Sequence, residues 1–102
     1  TRAKLNEAYD IIYDSLNAND KDDIIFTSST TEGNNIVIKT FLDAFLRGSD
    51  KNHIISTIAE HSSVKSPLNY CKNFGMKITY LKTNKNGLID LKELKNAITS
   101  KT

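Results

Sequence analysis

The chain has 102 residues, of which 38% are hydrophobic and 25% are charged, a composition typical of one small globular domain. The net charge is only +2 and the acidic and basic residues are interspersed, so the basic stripe of a nucleic-acid-binding protein is absent. The single cysteine excludes an internal disulfide framework and favours a cytoplasmic location, and no apolar run is long enough to predict a membrane span.

Seven elements are predicted, alternating between helix and strand. Apolar residues at helical spacing predict helices over residues 2–17, 31–47 and 64–74, with a fourth after Asp90. Short runs bounded by polar turns predict strands over residues 23–27, 53–58 and 76–81. The order α-β-α-β-α-β-α is typical of an α/β fold whose parallel strands are joined by helical crossovers.

Three of the predicted helices carry apolar faces that we expect to be buried. They comprise Val37, Ile38, Phe41, Leu42, Ala44, Phe45 and Leu46 in the second helix, Val64, Leu68 and Cys71 in the third, and Leu91, Leu94 and Ile98 in the fourth. Pro67 is expected within the first helical turn, or next to Ser66 as the cap, where a missing N–H costs least. Asp90 and Glu93 have the spacing of a capping box.

Two polar segments follow predicted strands, Thr27–Glu32 and Ala59–Ser63. Ligands of open α/β sheets bind beyond the carboxyl ends of the strands, so we expect these segments to contribute to one site. Thr30 and Thr31 open a helix, where free N–H groups and the helix dipole favour an anion; the alternative is a helix cap without a ligand. His61 could act as an acid or base, as a flat ring for stacking, or only as a cap.

Metal binding and thiol chemistry are not predicted. The two histidines, His53 and His61, lie at opposite ends of one predicted strand, too far apart to share an ion. Cys71 lies on the inward face of its helix, where a free cysteine usually serves as a small hydrophobic residue.

Two motifs at a characteristic separation resemble the cysteine desulfurases, which are class V members of the fold type I pyridoxal-phosphate enzymes. The segment F-T-S-S-T-T-E-G-N-N at residues 26–35 resembles the family's F-T-S-G-A-T-E-S-N-N. The segment H-I-I-S-T at residues 53–57, with A-E-H at 59–61 and Val64, resembles H-I-I-T followed by T-E-H-x-x-V. The later residues 75–98 resemble the family's continuation, so the likeness covers nearly the whole chain.

The resemblance implies specific roles for three residues. Thr30 and Thr31 would hold the phosphate of pyridoxal 5′-phosphate (PLP), and His61 would stack on its pyridine ring and take part in proton transfer. Ser29 and Thr30 depart from the family, since glycine and alanine are frequent there, and Ser29 replaces a residue of greater backbone freedom.

The resemblance also implies that residues 1–102 are a fragment of the large cofactor-binding domain, with no internal boundary. The Schiff-base lysine, the acid that pairs with the pyridine nitrogen and the persulfide-forming cysteine would lie in later sequence. The strands at 53–58 and 76–81 would pair with each other, away from the strand at 23–27. Alone, the piece would expose apolar side chains such as Phe41 and Phe45, and we expect it to self-associate or to be poorly stable.

The implied activity of the parent is conversion of L-cysteine to L-alanine, with sulfur transferred to an enzyme persulfide for iron–sulfur cluster and thio-cofactor assembly. A homodimer and a sulfur-accepting or scaffold protein are the implied partners. Two alternatives remain open at this point: another class V enzyme, such as a selenocysteine lyase or an aminotransferase, or a non-catalytic α/β anion-binding or interaction domain.

Overall fold

A computed structural model describes residues 1–102, which form four helices and two strands. In chain order these are α1 (Arg2–Leu16), α2 (Thr30–Leu46), β1 (His53–Thr57), α3 (Ser62–Asn73), β2 (Lys77–Leu81) and α4 (Leu91–Ala97). None of the helices combines the length and the apolar character that crossing a lipid bilayer requires.

The two strands form one parallel sheet. Their register runs from His53 opposite Lys77 to Thr57 opposite Leu81. Hydrogen bonds just outside the strands extend the pairing, because the N–H of Lys77 donates to the carbonyl of Asn52 at 2.8 Å and the N–H of Ile58 donates to that of Leu81 at 3.0 Å. The predicted α/β class and the pairing of these two strands are confirmed.

The strand predicted at residues 23–27 does not form, so the full α-β-α-β-α-β-α alternation was wrong for this chain. A strand needs a neighbour for its backbone hydrogen bonds, and β1 and β2 pair only with each other. Ile25 is 72% exposed, and the ring of Phe26 lies edge-on to that of Tyr9 with centroids 5.2 Å apart. Residues 23–27 are therefore a segment that pairs with neither strand.

The start of α3 and the capping box of α4 differ from the prediction. Helix α3 begins at Ser62, so Pro67 is inside the helix, beyond the first turn where it was expected. Proline has no N–H to donate to the carbonyl four residues earlier, so α3 lacks one backbone hydrogen bond at Pro67, which is itself buried. Asp90 caps α4 as predicted, accepting from the N–H of Lys92 at 2.9 Å, but Glu93 makes no return bond and the capping box is half formed.

Helices α2 and α3 pack side by side and run in the same direction. Asn34 contacts Ser63 at their beginnings, Lys39 lies over the ring of Tyr70 further along, and Phe45 lies against Gly75 at their ends. Contacts that advance together along both helices require a parallel arrangement. The first turns of α2 and α3 therefore lie next to each other.

The buried core is small. Leu42, Cys71 and Met76 form its centre, and half-buried Ile38, Phe45, Ile54 and Ile78 pack around them. Only 6 of 102 residues are buried, and the radius of gyration is 17.0 Å, whereas a compact chain of this length would have about 13 Å. Much of the apolar surface of this chain therefore lacks an internal partner.

Burial matches the prediction for one helix only. In α3, Leu68 and Cys71 are buried and Val64 is half-buried, as expected. On the α2 face Leu42 is buried and Ile38 and Phe45 are half-buried. On the α4 face Leu94 is half-buried, while Leu91 and the C-cap Ile98 are exposed, so both predicted faces are covered only in part. The cause is incomplete cover, because α2 contacts α3 but leaves Phe41 57% exposed, and α4 contacts β2 but leaves Leu91 exposed.

Candidate functional site

The first turn of α2 is capped by Ser29. The Ser29 hydroxyl accepts from the N–H of Glu32 at 3.2 Å, and the N–H of Gly33 donates to the Ser29 carbonyl at 3.1 Å. Ser29 has a φ of −165°, which is extended backbone that any residue adopts. A serine in place of the family's frequent glycine therefore introduces no backbone strain.

The carboxylate of Glu32 turns back toward the residue before the cap. Its Oε2 accepts from the backbone N–H of Ser28 at 3.0 Å and from the Ser28 hydroxyl. The hydroxyl contact, with the backbone bond second, holds the pKa of Glu32 below its ordinary value. Both donors of Ser28 are thus occupied within the chain.

Thr30 and Thr31 keep their donors free. Neither the backbone N–H nor the hydroxyl of either residue donates a hydrogen bond within the chain, and both residues are exposed. The first N–H groups of a helix have no carbonyl partner within it, and they lie at the positive end of the helix dipole. The turn therefore offers four donors to an anion while its cap is satisfied separately.

His61 is the N-cap of α3. Its Nδ1 accepts from the N–H of Ser63 at 3.1 Å, with the Ser63 hydroxyl also at 3.1 Å. The cap interpretation of this histidine is therefore confirmed. Its Nε2 has no partner and the residue is exposed, so one nitrogen and the flat ring stay available to a ligand.

The structure places the Thr30–Thr31 turn and the His61 turn at neighbouring helix ends. The amide Nδ2 of Asn34 donates to the Ser63 hydroxyl at 3.1 Å, which ties the first turn of α2 to that of α3. Sequence reasoning missed Asn34 and Ser63. The available signal was spacing: Asn34 is one turn after Thr30 on the same helix face, and Ser63 is two residues after His61.

His53 belongs to a different region. Its Nε2 lies 2.6 Å from the Thr79 hydroxyl on β2, and its Nδ1 lies 2.7 Å from the Thr102 hydroxyl. Both ring nitrogens are thus engaged at the start of β1, whereas His61 follows its end. No group of three or more histidine, cysteine, aspartate or glutamate residues has a geometry that could hold a metal ion.

Cys71 is fully buried against Leu42 and Met76. Burial raises the pKa of its thiol, and the opposing influence of the Lys39 charge is smaller. The expectation that Cys71 serves as a small hydrophobic residue is confirmed, because a nucleophilic thiol needs solvent access and a lowered pKa.

Comparison with known proteins places this chain among longer relatives. The cysteine desulfurase IscS of Rickettsia typhi is 49% identical over 83 residues, which are 81% of this chain and 20% of that protein. The cysteine desulfurase IscS of Rickettsia massiliae is 42% identical over 98 residues, covering 96% of this chain and 23% of that protein. A solved structure of a NifS-like protein superposes with a TM-score of 0.82 at 29% identity, covering 94% of this chain and 26% of the other.

The chain thus spans about a quarter or less of the curated relatives it matches. The family description of the class-V aminotransferases matches residues 1–102, the whole of the chain. By this match over its full length, the chain belongs to the class-V aminotransferase family.

Proposed function

We propose that this chain is the segment of a PLP-dependent cysteine desulfurase that holds the phosphate and one face of the cofactor ring. One observation carries the proposal: the free donors of Thr30 and Thr31 and the open ring of His61 lie at the adjacent first turns of two parallel helices. A phosphate and an aromatic ring on one small molecule need such a pair of neighbouring sites. The likeness to cysteine desulfurases supports the choice of reaction.

The donor set of α2 fits a phosphate group. Two backbone N–H groups and two hydroxyls are free at the positive end of a 17-residue helix. The negative charge in the first turn of α2, on Glu32, is held by hydrogen bonds to Ser28. Thr30 and Thr31 would therefore bind the phosphate without rearrangement of the cap.

The ring of His61 is suited to contact the cofactor ring. Because the N–H of Ser63 donates to Nδ1, the cap fixes the ring at one edge and leaves its face open. Nε2 is the ring nitrogen that remains free to accept or release a proton. His61 would thus stack on the cofactor and exchange a proton through Nε2.

PLP, when bound, supplies the electron sink that allows bonds of an amino-acid substrate to be broken. The proposed overall reaction converts L-cysteine to L-alanine and leaves the sulfur on an enzyme cysteine as a persulfide. Buried Cys71 does not fill that role, and no lysine of this chain is assigned to the cofactor. The proposal extends to a homodimer and to a protein that accepts the sulfur.

Purification of the full-length protein that contains this chain, with PLP present, tests the proposal. We expect retained cofactor and equal amounts of alanine and sulfide from L-cysteine in the presence of a reductant. His61→Ala should keep the cofactor but lose most sulfide release. Turnover of selenocysteine alone, amino transfer to a keto acid, or failure to retain PLP would each contradict the proposal.

A further inference from the structure

The hydrogen bonds around His61 form a chain that begins on the neighbouring helix. This inference rests on the proposed function, because it concerns how the proposed ring-binding histidine is held. We infer that Asn34 and Ser63 are positioning residues that set the tautomer and orientation of the His61 ring relative to the phosphate-binding turn of α2. Neither residue would touch the reacting atoms.

The direction of the hydrogen-bond chain follows from which atoms can donate. The Nδ2 of Asn34 can only donate, so the Ser63 hydroxyl oxygen accepts from it at 3.1 Å. The hydroxyl hydrogen of Ser63 is then free to point at Nδ1 of His61, also at 3.1 Å. The backbone N–H of Ser63 donates to the same nitrogen at 3.1 Å. Two donors thus converge on Nδ1.

A nitrogen that accepts from a backbone N–H must carry a lone pair. Nδ1 is therefore unprotonated in this arrangement, and the proton of the neutral ring lies on Nε2. Nε2 is the free nitrogen, so the His61 ring presents an N–H donor toward any ligand at the site. The backbone N–H of Ser63 alone would favour the Nε2–H tautomer of His61, and the Ser63 hydroxyl strengthens that preference.

The hydrogen bond between Asn34 and Ser63 is better shielded from water than the cap at His61. Asn34 and Ser63 are half-buried between α2 and α3, whereas His61 is exposed and its ring would otherwise turn about its side-chain bonds. The same bond joins the helix that carries Thr30 and Thr31 to the helix that His61 caps. The distance and angle between the phosphate-binding turn and the ring therefore depend on it.

Nitrogen-15 spectra of histidine-labelled full-length protein test the inference, with the His61 signals assigned by their loss in His61→Gln. In the wild type we expect the Nε2–H tautomer. Ser63→Ala should add a measurable Nδ1–H fraction and broaden the ring signals, and Ser63→Thr should restore them. Ser62→Ala is the matched control, because its exposed hydroxyl contacts neither residue, and it should match the wild type.

Reversing the direction of the hydrogen bond between residues 34 and 63 gives a second test. In Asn34→Asp the carboxylate would accept from the Ser63 hydroxyl, so the tie between the helices would remain while the hydroxyl turned away from Nδ1. We expect the same tautomer change as in Ser63→Ala. Asn35→Asp adds the same charge one residue along, where the native amide bonds only the Thr31 carbonyl, and it should leave the tautomer unchanged.

Activity provides a separate measurement. In Ser63→Ala, kcat for L-cysteine should fall about 2- to 10-fold, the value of one neutral hydrogen bond, with less effect on KM. An Nδ1–H tautomer in the wild type, or ring spectra unchanged in both Ser63→Ala and Asn34→Asp, would overturn the inference. The spectra require no turnover, so they test the tautomer inference even if the protein is inactive. A wild type that binds no PLP would refute the proposed function, whereas the inference about Asn34 and Ser63 would still be decided by the His61 spectra.

Discussion

The carboxylate of Glu32 accepts hydrogen bonds from both the backbone N–H and the hydroxyl of Ser28. This relationship turns a negative charge in the first turn of α2 toward the preceding loop. The same turn leaves the donors of Thr30 and Thr31 free. A helix start that satisfies its own cap and keeps spare donors is suited to an anion that arrives from outside the chain.

The bonds to Ser28 make stability depend on pH. They hold the folded-state pKa of Glu32 below 4.5, its ordinary value. A lowered pKa contributes stability that is fully present above the unfolded-state pKa and is lost as the pH falls through the folded-state pKa. Glu32→Gln should therefore be less stable than the wild type near neutral pH, and the difference should shrink in acid.

Urea unfolding of the full-length protein at a series of pH values measures this difference. Glu7→Gln is a suitable control, because Glu7 is exposed on α1 and its carboxylate makes no hydrogen bond within the chain. A difference in stability between wild type and Glu32→Gln that is the same at every pH would show that the changed hydrogen bonding, and not the charge, caused it.

Sequence patterns predicted the elements whose partners lie within this chain. Short runs bounded by polar turns at residues 53–58 and 76–81 identified two strands that pair with each other, and the inward face of α3 buries Leu68 and Cys71 as expected. The polar turns after predicted strands indicated Thr30, Thr31 and His61 as candidates. For the two strands and for α3, the packing partner was present within the sequence, whereas the site roles of Thr30, Thr31 and His61 stay predictions.

The failures share one physical cause. Periodicity shows which face of a segment is apolar, but it does not show whether another element is present to cover that face. Residues 23–27 have a strand-like composition without a strand beside them, and the faces of Val37 and Leu91 meet solvent. Asn34 and Ser63 were missed because their hydrogen bond depends on the packing of two helices.

Removing the threonine hydroxyls should weaken cofactor binding. Valine has nearly the shape of threonine, so Thr30→Val and Thr31→Val remove a donor with little change in packing. Each should raise the Kd for PLP about 10-fold, since a hydrogen bond to a charged group contributes about 1.5–3 kcal/mol and both sites are exposed. Titration of the full-length apoprotein with PLP measures this.

A matched control lies on the same helix. The Thr40 hydroxyl donates to the Ile36 carbonyl at 2.6 Å, away from the first turn of α2, so Thr40→Val should bind PLP like the wild type. Equal losses in Thr40→Val and Thr31→Val would show a general loss of helix stability and would count against a phosphate contact at Thr31.

Changes at Cys71 should affect stability and leave the chemistry intact. Cys71→Ser places a hydroxyl in the centre of the core and should destabilise the fold by about 1–3 kcal/mol, because the core around Leu42 and Met76 offers it no polar side chain. Cys71→Ala should release sulfide from L-cysteine at the wild-type rate per folded molecule. Loss of sulfide release in a folded Cys71→Ala protein would instead identify Cys71 as the persulfide residue.

Thiol accessibility gives an independent check on Cys71. Because the thiol is fully buried and its pKa is raised, an aromatic disulfide reagent should modify it only after unfolding. Rapid modification of Cys71 under native conditions would contradict the buried position.

The open apolar surface of the 102-residue chain should drive its association. A groove of about 620 Å³ lies between α2 and β1, lined by apolar residues that include Val37, Phe41, Ile55 and Met76. Phe41 is 57% exposed at this groove, although it belongs to the apolar face of α2. Surfaces of this kind associate in water because association removes apolar area from solvent.

Sedimentation velocity over a range of concentrations tests this expectation on the chain of residues 1–102. The wild-type chain should form oligomers, and Phe41→Asp should shift the distribution toward monomer, because a charge in the groove opposes its burial. Leu91→Asp places the same charge at another exposed apolar position, outside the groove, and should have less effect. A wild-type chain that is monomeric at all concentrations and melts cooperatively would show that its small core is sufficient.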